Sequence, residues 1–361
     1  MTNYLKKLLL GNDLSSAEAF EAMNEIMSGR ADQMQTAGLL MALAMKGETG
    51  EEIEAFARAM RAAAVAWPNA GASAATAIID TCGTGGDSAS ILNISTIAAV
   101  VLSSFGNDMK FQVAKHGNRA VSSPTGSADV LEHLGIQIDV SHEAAASILN
   151  QVNICFLFAQ SWHPAMRFAA PVRRALGVRT IFNILGPITN PAPLTHQLMG
   201  VFDRRFLVPV AKALAGLGRK HAFVIHSRDG LDEVSIAAAT DYVEIQDGHV
   251  VKEGTWQPAD FGIATTPIDS LRVSDRQESA DRFERILKGE GTDIENRMVS
   301  VNAGVVLTLL QDNLSLLDAR QMVVERLQSG AAFNSLQKWK SVQHTSSNDT
   351  ESKANITSLR T

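Results

Sequence analysis

A chain of 361 residues, 45% hydrophobic and 19% charged, is long enough to bury one large core or two unequal ones. A formal net charge of −6 and a pI near 5.9 exclude a globally basic binder of nucleic acid or of an acidic membrane face. Cys82 and Cys155 are too few for a disulfide framework, no charged-then-apolar leader opens the chain, and no uncharged run reaches the roughly 20 residues of a membrane span, so a reducing cytoplasm is the expectation.

As far as about Ala66 the pattern is helical throughout. Ser15 with Glu18, and Thr49 with Glu52, have capping-box spacing, while Phe20, Met23 and Met27, then Ile53, Phe56 and Met60, recur at helical intervals. Pro68-Asn-Ala-Gly-Ala-Ser73 is a breaker-rich joint, after which strands and helices alternate. Strands are expected at Ala77–Asp80, Phe111–Ala114, Ile154–Ala159, Leu198–Phe202 and Ala222–His226, with helices such as Thr96–Phe105, Ser127–Leu134 and Leu207–Leu217 between them. That order predicts an α/β protein with a largely parallel sheet covered on both faces. Thr240–Val251, turning at Asp247-Gly248, reads as an antiparallel hairpin. Beyond about Trp339 the chain is Ser, Thr, Asn, Lys and Glu, which predicts a mobile tail over 340–361.

Asp80-Thr-Cys-Gly-Thr-Gly-Gly-Asp87, Asn93-Ile-Ser-Thr96 and Lys115-His-Gly-Asn-Arg-Ala-Val-Ser-Ser123 together describe a phosphate cradle. Gly83, Gly85 and Gly86 let unshielded backbone N–H groups face an anion. Asn93, Ser95 and Thr96 fall where a helix should begin, beside free N–H groups and the positive end of its dipole. Lys115, His116, Asn118 and Arg119 add more charge and directed donors than one phosphate requires, so the ligand should carry at least two.

Two further constellations carry chemistry. His163-Pro-Ala-Met-Arg-Phe-Ala-Ala-Pro-Val-Arg173-Arg174 leads towards the Gly-Pro and Asn-Pro steps at Pro187 and Pro191. Its arginines suit either a planar fork for a carboxylate or a solvated helix face; Arg173 and Arg174 diverge by about 100° and cannot share one ligand. Asp229-Gly-Leu-Asp-Glu233 follows an apolar strand, where open α/β sheets bind ligands. Its oxygens suit Mg²⁺, which takes few carboxylates and keeps waters, or equally a helix N-terminal cap. No pair of the nine histidines has zinc-ligand spacing.

In this order the five blocks resemble the anthranilate phosphoribosyltransferases, and the likeness extends to about residue 335. The resemblance implies a small helical domain over 1–68, joined by helices near 163–180, and a larger α/β domain over 69–335 of nucleoside phosphorylase-like topology. It also implies a homodimer through the helical domains, and attack by the anthranilate amine on the anomeric carbon of phosphoribosyl pyrophosphate (PRPP). By the same resemblance Gly83, Gly86, Asp87, Asn93, Ser95, Thr96, Lys115, Ser122, Ser123 and Ser127 hold PRPP. Ser95, Asp232 and Glu233 hold two Mg²⁺ ions. Gly83, Asn118 and Arg173 touch anthranilate, His116, His163 and Pro187 line its route, and His116 is the candidate base if one is needed.

Three departures stand out. Ser88 and Ile91 replace the usual Gly and Thr of the cradle, the stretch Gly106–Val113 is longer than usual, and the polar C-terminal tail has no counterpart. Among rivals, a dinucleotide-binding enzyme lacks its third glycine because Ser88 stands there, and no Walker lysine marks a nucleotide triphosphatase. Pyrimidine nucleoside phosphorylase shares the architecture but leaves Asp232 and Glu233 without metal work. A non-catalytic paralogue holding a phosphoribosyl ligand or nucleic acid conflicts with the acidic net charge and the intact acid pair.

Overall fold

The computed structural model describes residues 1–68, 77–85, 90–120 and 125–343. The expected cradle residues Gly86, Asp87, Ser122 and Ser123, the departure at Ser88, and the chain beyond 343 lie outside them.

Four helices come first: α1 (Thr2–Leu9), α2 (Ser16–Met27), α3 (Gln33–Lys46) and α4 (Gly50–Ala62). Then follow β1 (Ala77–Gly83), α5 (Ile94–Ser103), α6 (Gly106–Met109), β2 (Phe111–Gly117), α7 (Ser127–His133), α8 (His142–Val152) and β3 (Ile154–Phe158). After these come α9 (Ala159–Trp162), α10 (Ala170–Leu176), α11 (Ile181–Ile188), β4 (His196–Gly200), α12 (Leu207–Gly216), β5 (His221–Ser227), β6 (Thr240–Gln246) and β7 (His249–Trp256). The chain closes with α13 (Arg276–Leu287), α14 (Asp293–Leu310), α15 (Leu316–Gln328) and α16, over 331–343. The seven strands run in the order β3-β2-β1-β4-β5-β6-β7. β1/β2, β2/β3 and β4/β5 pair in parallel, and β5/β6/β7 antiparallel. The fold is thus α/β with a mostly parallel sheet, as the alternation predicted.

By their contacts the residues form two compact units. The first joins Met1–Trp67, the end of β1 from Cys82, and Ala159–Thr265. Both expected capping boxes are present at its start. Ser15 accepts from the Glu18 N–H and Thr49 from the Glu52 N–H, with each glutamate answering the cap's own N–H. Glu52, fully buried, also accepts from Leu14 N and Lys46 Nζ, at 2.9 and 2.8 Å, and so fastens the α1–α2 and α3–α4 connections together. Met23, Ile26, Leu39, Leu43, Ile53 and Phe56 share one apolar core with Ile181 and Leu185 of α11, Val210 and Leu214 of α12 and Val224 of β5. The N-terminal helices thus pack together with later elements of this unit. β7 is an edge strand, mostly exposed, that carries Lys252 and Glu253, charges that discourage pairing with another chain.

The second unit holds β1 as far as Thr81, then Ser90–Phe158, and the segment from Thr266. α5 is apolar all round and correspondingly buried, packed between β2 and the helices α14 and α15. The long Gly106–Val113 connection forms the single turn α6, closed by Lys110 in the left-handed region (φ 57°), and β2 then starts at Phe111. α16 runs through the expected tail boundary at 340, as far as the last described residue, 343. Trp339 is 1% exposed, and the buried Gln343 pairs both its amide groups with the backbone of Gln137, at 2.9 and 3.0 Å.

Truncation after Lys338 removes the Trp339 and Gln343 anchors and should cost about 3–5 kcal/mol of stability, as loss of a buried Trp does. Truncation after Thr345 keeps both and should melt like the full chain. Thermal unfolding of the two shortened chains checks this, and equal melting temperatures would refute the anchoring role.

Candidate active site

In the first unit the site begins where β1 ends. Gly85 donates its N–H to Asp232 Oδ2 at 2.6 Å. A Cβ at Gly83 would overlap that carboxylate, and one at Gly200 would overlap the Asp232 backbone. Glycine is therefore required at 83 and 200 by space, because three pieces of backbone converge on one acidic residue. Thr84 N donates to the Gly200 carbonyl and Thr84 Oγ1 accepts from Phe202 N, each at 3.0 Å, which fixes the turn on the end of β4.

Residues 231–239 form no helix, so Asp232 and Glu233 cap none. Their loop is held by buried hydroxyls. Ser227 Oγ donates to the Glu233 carbonyl at 2.6 Å and pairs with Thr240 Oγ1 at 2.7 Å, while Ser235 Oγ donates to Asp229 Oδ2 at 2.6 Å. Ser227 and Thr240 are fully buried, where hydroxyl networks of this kind are stiff. Among the described residues no three His, Cys, Asp or Glu side chains form a metal cage. Two carboxylates on a rigid loop of hard oxygens fit Mg²⁺, which draws its remaining ligands from water and substrate phosphates.

Pro187 lies within α11, and its carbonyl accepts from Gln197 Nε2 at 3.0 Å. Gln197 also approaches Cys82 Sγ at 3.5 Å and is fixed by the buried Arg219 at 2.9 Å. The glycine turn and Pro187 are thereby tied to one buried amide. Sequence reasoning missed Gln197 and Arg219, since neither falls in a motif. Arg173 lies half-buried over the Phe182 ring at 5.3 Å, and burial pulls its guanidinium below the usual range; Arg174, beside it, is exposed. His163 is 3% exposed, and burial, with the charge of Arg61 adding to it, lowers its pKa to about 4. It is neutral at physiological pH.

In the second unit Asn93 is the N-cap of α5, as its position predicted, but makes no capping bond. Its Oδ1 accepts from Thr125 Oγ1 and Ser279 Oγ, both at 3.2 Å. Thr96, in the first turn, is buried with an Oγ1 that finds no partner among the described residues. Lys115 and His116 end β2 buried, and Lys115 Nζ donates to the His116 carbonyl at 3.2 Å. Ser127 Oγ donates to the Asn118 carbonyl at 3.3 Å and occupies the space a Cβ at Gly117 would take. Asn93, Lys115, His116, Asn118 and Ser127 thus form one neighbourhood, with Ser95 on the same first turn of α5. Arg119 does not serve as a spare cation there. It forks onto Glu132, reaches Asp129 at 3.4 Å, and lies over Phe158.

A helical bundle ahead of an α/β unit with a glycine turn and an acid loop defines a class of glycosyl-transferring enzyme, and two family models agree. "Glycosyl transferase family, helical bundle domain" matches residues 2–64, and "Glycosyl transferase family, a/b domain" matches residues 75–333. Anthranilate phosphoribosyltransferase of Roseiflexus sp. (strain RS-1) is 42% identical over 92% of this chain and 95% of its own length. The crystal structure of anthranilate phosphoribosyltransferase from Thermus thermophilus superposes with a TM-score of 0.84 at 37% identity, covering 94% of this chain and 98% of that one. The enzyme of that name from Saccharomyces cerevisiae, in complex with PRPP and Mg, gives 0.85 at 26% identity, covering 95% and 98%. The chain belongs to the anthranilate phosphoribosyltransferase family.

The close approach of Asp232 can be tested by stability. Gly83→Ala should cost about 1–3 kcal/mol in thermal melting, as overpacking does. Gly186→Ala, whose Cβ would meet nothing within 4 Å, should stay within about 0.5 kcal/mol of the parent. Equal stability of the two would show that Asp232 does not sit against Gly83.

Burial also holds the His196 pKa at about 4, so His163 and His196 bind protons more weakly than the unfolded chain does near 6.5. Between those values the unfolded state holds more protons, so stability is full above about pH 6.5 and is lost as pH falls towards 4. Each histidine should contribute on the order of 2 kcal/mol to that loss. His163→Gln should flatten the stability profile over this window, and an unchanged slope in denaturant titrations would count against it.

Proposed function

We infer that the chain transfers the phosphoribosyl group of PRPP to the amine of anthranilate, giving N-(5-phosphoribosyl)anthranilate and pyrophosphate in tryptophan biosynthesis. The observation that carries this is the acid loop locked against the glycine turn. A nucleoside phosphorylase working with free phosphate has no use for Asp232 and Glu233 there, whereas a departing pyrophosphate with its cation does.

In the reaction a bond forms from the anthranilate nitrogen to the anomeric carbon, the bond from that carbon to pyrophosphate oxygen breaks, and the amine gives up a proton. Such a displacement passes through an oxocarbenium-like state, so alignment and leaving-group stabilisation dominate. Asn93, Thr96, Lys115 and Ser127 offer donors for phosphate oxygens, and the resemblance adds Gly83, Ser95, Gly86, Asp87, Ser122 and Ser123. Asp232 and Glu233 would hold Mg²⁺, with Ser95 a further ligand by the resemblance and two ions expected. When bound, the metal would neutralise charge growing on pyrophosphate. Arg173 would take the anthranilate carboxylate, with Asn118, His116, His163 and Pro187 about the ring. The aromatic amine is unprotonated at neutral pH and its own carboxylate accepts a hydrogen bond internally, so a protein base is dispensable; His116 is the candidate if one acts.

The finer assignments belong to the same proposal. Both cysteines are free thiols, in keeping with a reducing cytoplasm. A homodimer through the helical bundle accounts for Leu9, Leu10, Met34 and Met45, each at least 75% exposed at the ends of the packed pair α1 and α3. Product formation from anthranilate and PRPP, with and without Mg²⁺ and beside a thymidine phosphorolysis control, tests the function. Metal-dependent formation of the product supports it; thymidine cleavage with no such product refutes it.

Arg173→Ala should raise the anthranilate KM by about 1.5–3 kcal/mol in free-energy terms, with little change in the PRPP KM, because one charged hydrogen-bonding contact is lost. Arg174→Ala should be nearly silent. A selective anthranilate defect in Arg174→Ala, with Arg173→Ala like wild type, would require the carboxylate site to be redrawn.

A further inference from the structure

Arg61 occupies the last turn of α4, half-buried. One turn earlier Arg58 is fully employed, pairing with Glu54 at 3.3 Å and Ser16 Oγ at 2.6 Å. Arg61 has no hydrogen bond, ion pair or ring contact among the described residues. Its end of α4 is nonetheless tightly placed. Val65 N donates to the Trp162 carbonyl at 2.9 Å, and the Trp67 and Trp162 rings stack at 5.5 Å. The next residue is His163, close enough to feel the Arg61 charge. On the adjoining side α11 packs against α4 and carries Phe182, the ring under Arg173.

A guanidinium withdrawn from water without an acid is costly, and burial lowers Arg61 and Arg173 alike. Neither has an acid partner among the described residues of this unit, which suits both to an anion from outside. The surroundings indicate which anion. Trp67 and Trp162 at this end of α4, and Phe182 on the adjoining α11, bring aromatic rings to the same region, which suits a flat aromatic body with a single charged edge. The Asn93, Thr96 and Lys115 donors belong to the other unit.

We propose that Arg61 is a second arginine of the aromatic-amine site and binds the carboxylate of that substrate. This rests on the function proposed above. The test is steady-state kinetics of wild type, Arg61→Gln and Arg61→Lys with anthranilate and PRPP varied in turn, alongside fluorescence titration of anthranilate itself. Arg61→Gln should raise the anthranilate KM and Kd about 10-fold, the loss of a charged hydrogen bond, and leave the PRPP KM within about twofold. Arg61→Lys keeps the charge without the planar fork and should recover part of the affinity. Aniline, which lacks the carboxylate, should be used equally by wild type and Arg61→Gln.

An unchanged anthranilate KM, or an equal rise for both substrates, overturns the proposal. A selective loss in Arg173→Ala with Arg61→Gln silent removes Arg61 while leaving the proposed function standing. Failure of wild type to form product removes both. If Arg61→Gln melts well below wild type, Arg61→Lys decides: an anthranilate KM equal to wild type together with an unimpaired Kd for the Gln variant refutes the role, and a selective rise supports it.

Discussion

Asp232 sits where only glycines can face it. Gly83 and Gly200 leave no room for a side chain against it, and Gly85 turns its N–H onto the carboxylate. The rest of this loop's geometry follows from that approach. The end of β1 must reach β4 closely enough for Thr84 to bond Gly200 and Phe202, and the loop after β5 must double back under Ser227 and Thr240. Buried hydroxyls are costly when unsatisfied, so each bond within this loop raises the cost of any other loop conformation. The Asp232 carboxylate is thereby held by the chain's own hydrogen bonds.

Charge is distributed by the same logic. Lys46 is spent on Glu52 and Asp13, Arg119 on Glu132 and Asp129, and Arg204 with Arg228 on Asp241. These pairs brace connections. Arg173 and Arg61 have no such acid among the described residues, although burial penalises both. A net charge of −6 therefore coexists with cationic positions, because local pairing rather than overall composition determines where an anion is attracted.

Much of this was legible in the sequence where the information is local. Apolar runs located β1 to β5, Asp247-Gly248 located the hairpin, and Ser15, Thr49 and Asn93 marked helix starts that the structure contains. Motif residues alone brought Asp232 and the glycine turn under suspicion. What remained illegible depends on contacts distant in sequence. No pattern announces that Gln197 bonds Pro187 and Cys82, that Arg119 is consumed by Glu132, or that α4 shares a core with α11 and α12. Asn93 was placed correctly, yet its side chain bonds Thr125 and Ser279 instead of its own helix, a choice set by tertiary neighbours. Across the expected boundary at 340, Trp339 and Gln343 are each anchored individually, and composition averages over single anchors.

The division of labour between stiff and unpaired groups matches what the chemistry demands. Displacing pyrophosphate from an anomeric carbon gains little from a strong protein base, because the nucleophile is already an unprotonated amine. It gains much from donors fixed before charge develops. Accordingly the glycine turn and the loop of Asp232 are fixed by hydrogen bonds of the chain itself, and His163 is kept neutral by burial. Burial of His163 thus leaves Arg61 and Arg173 as the charged groups of this region, which is what the proposed carboxylate site requires.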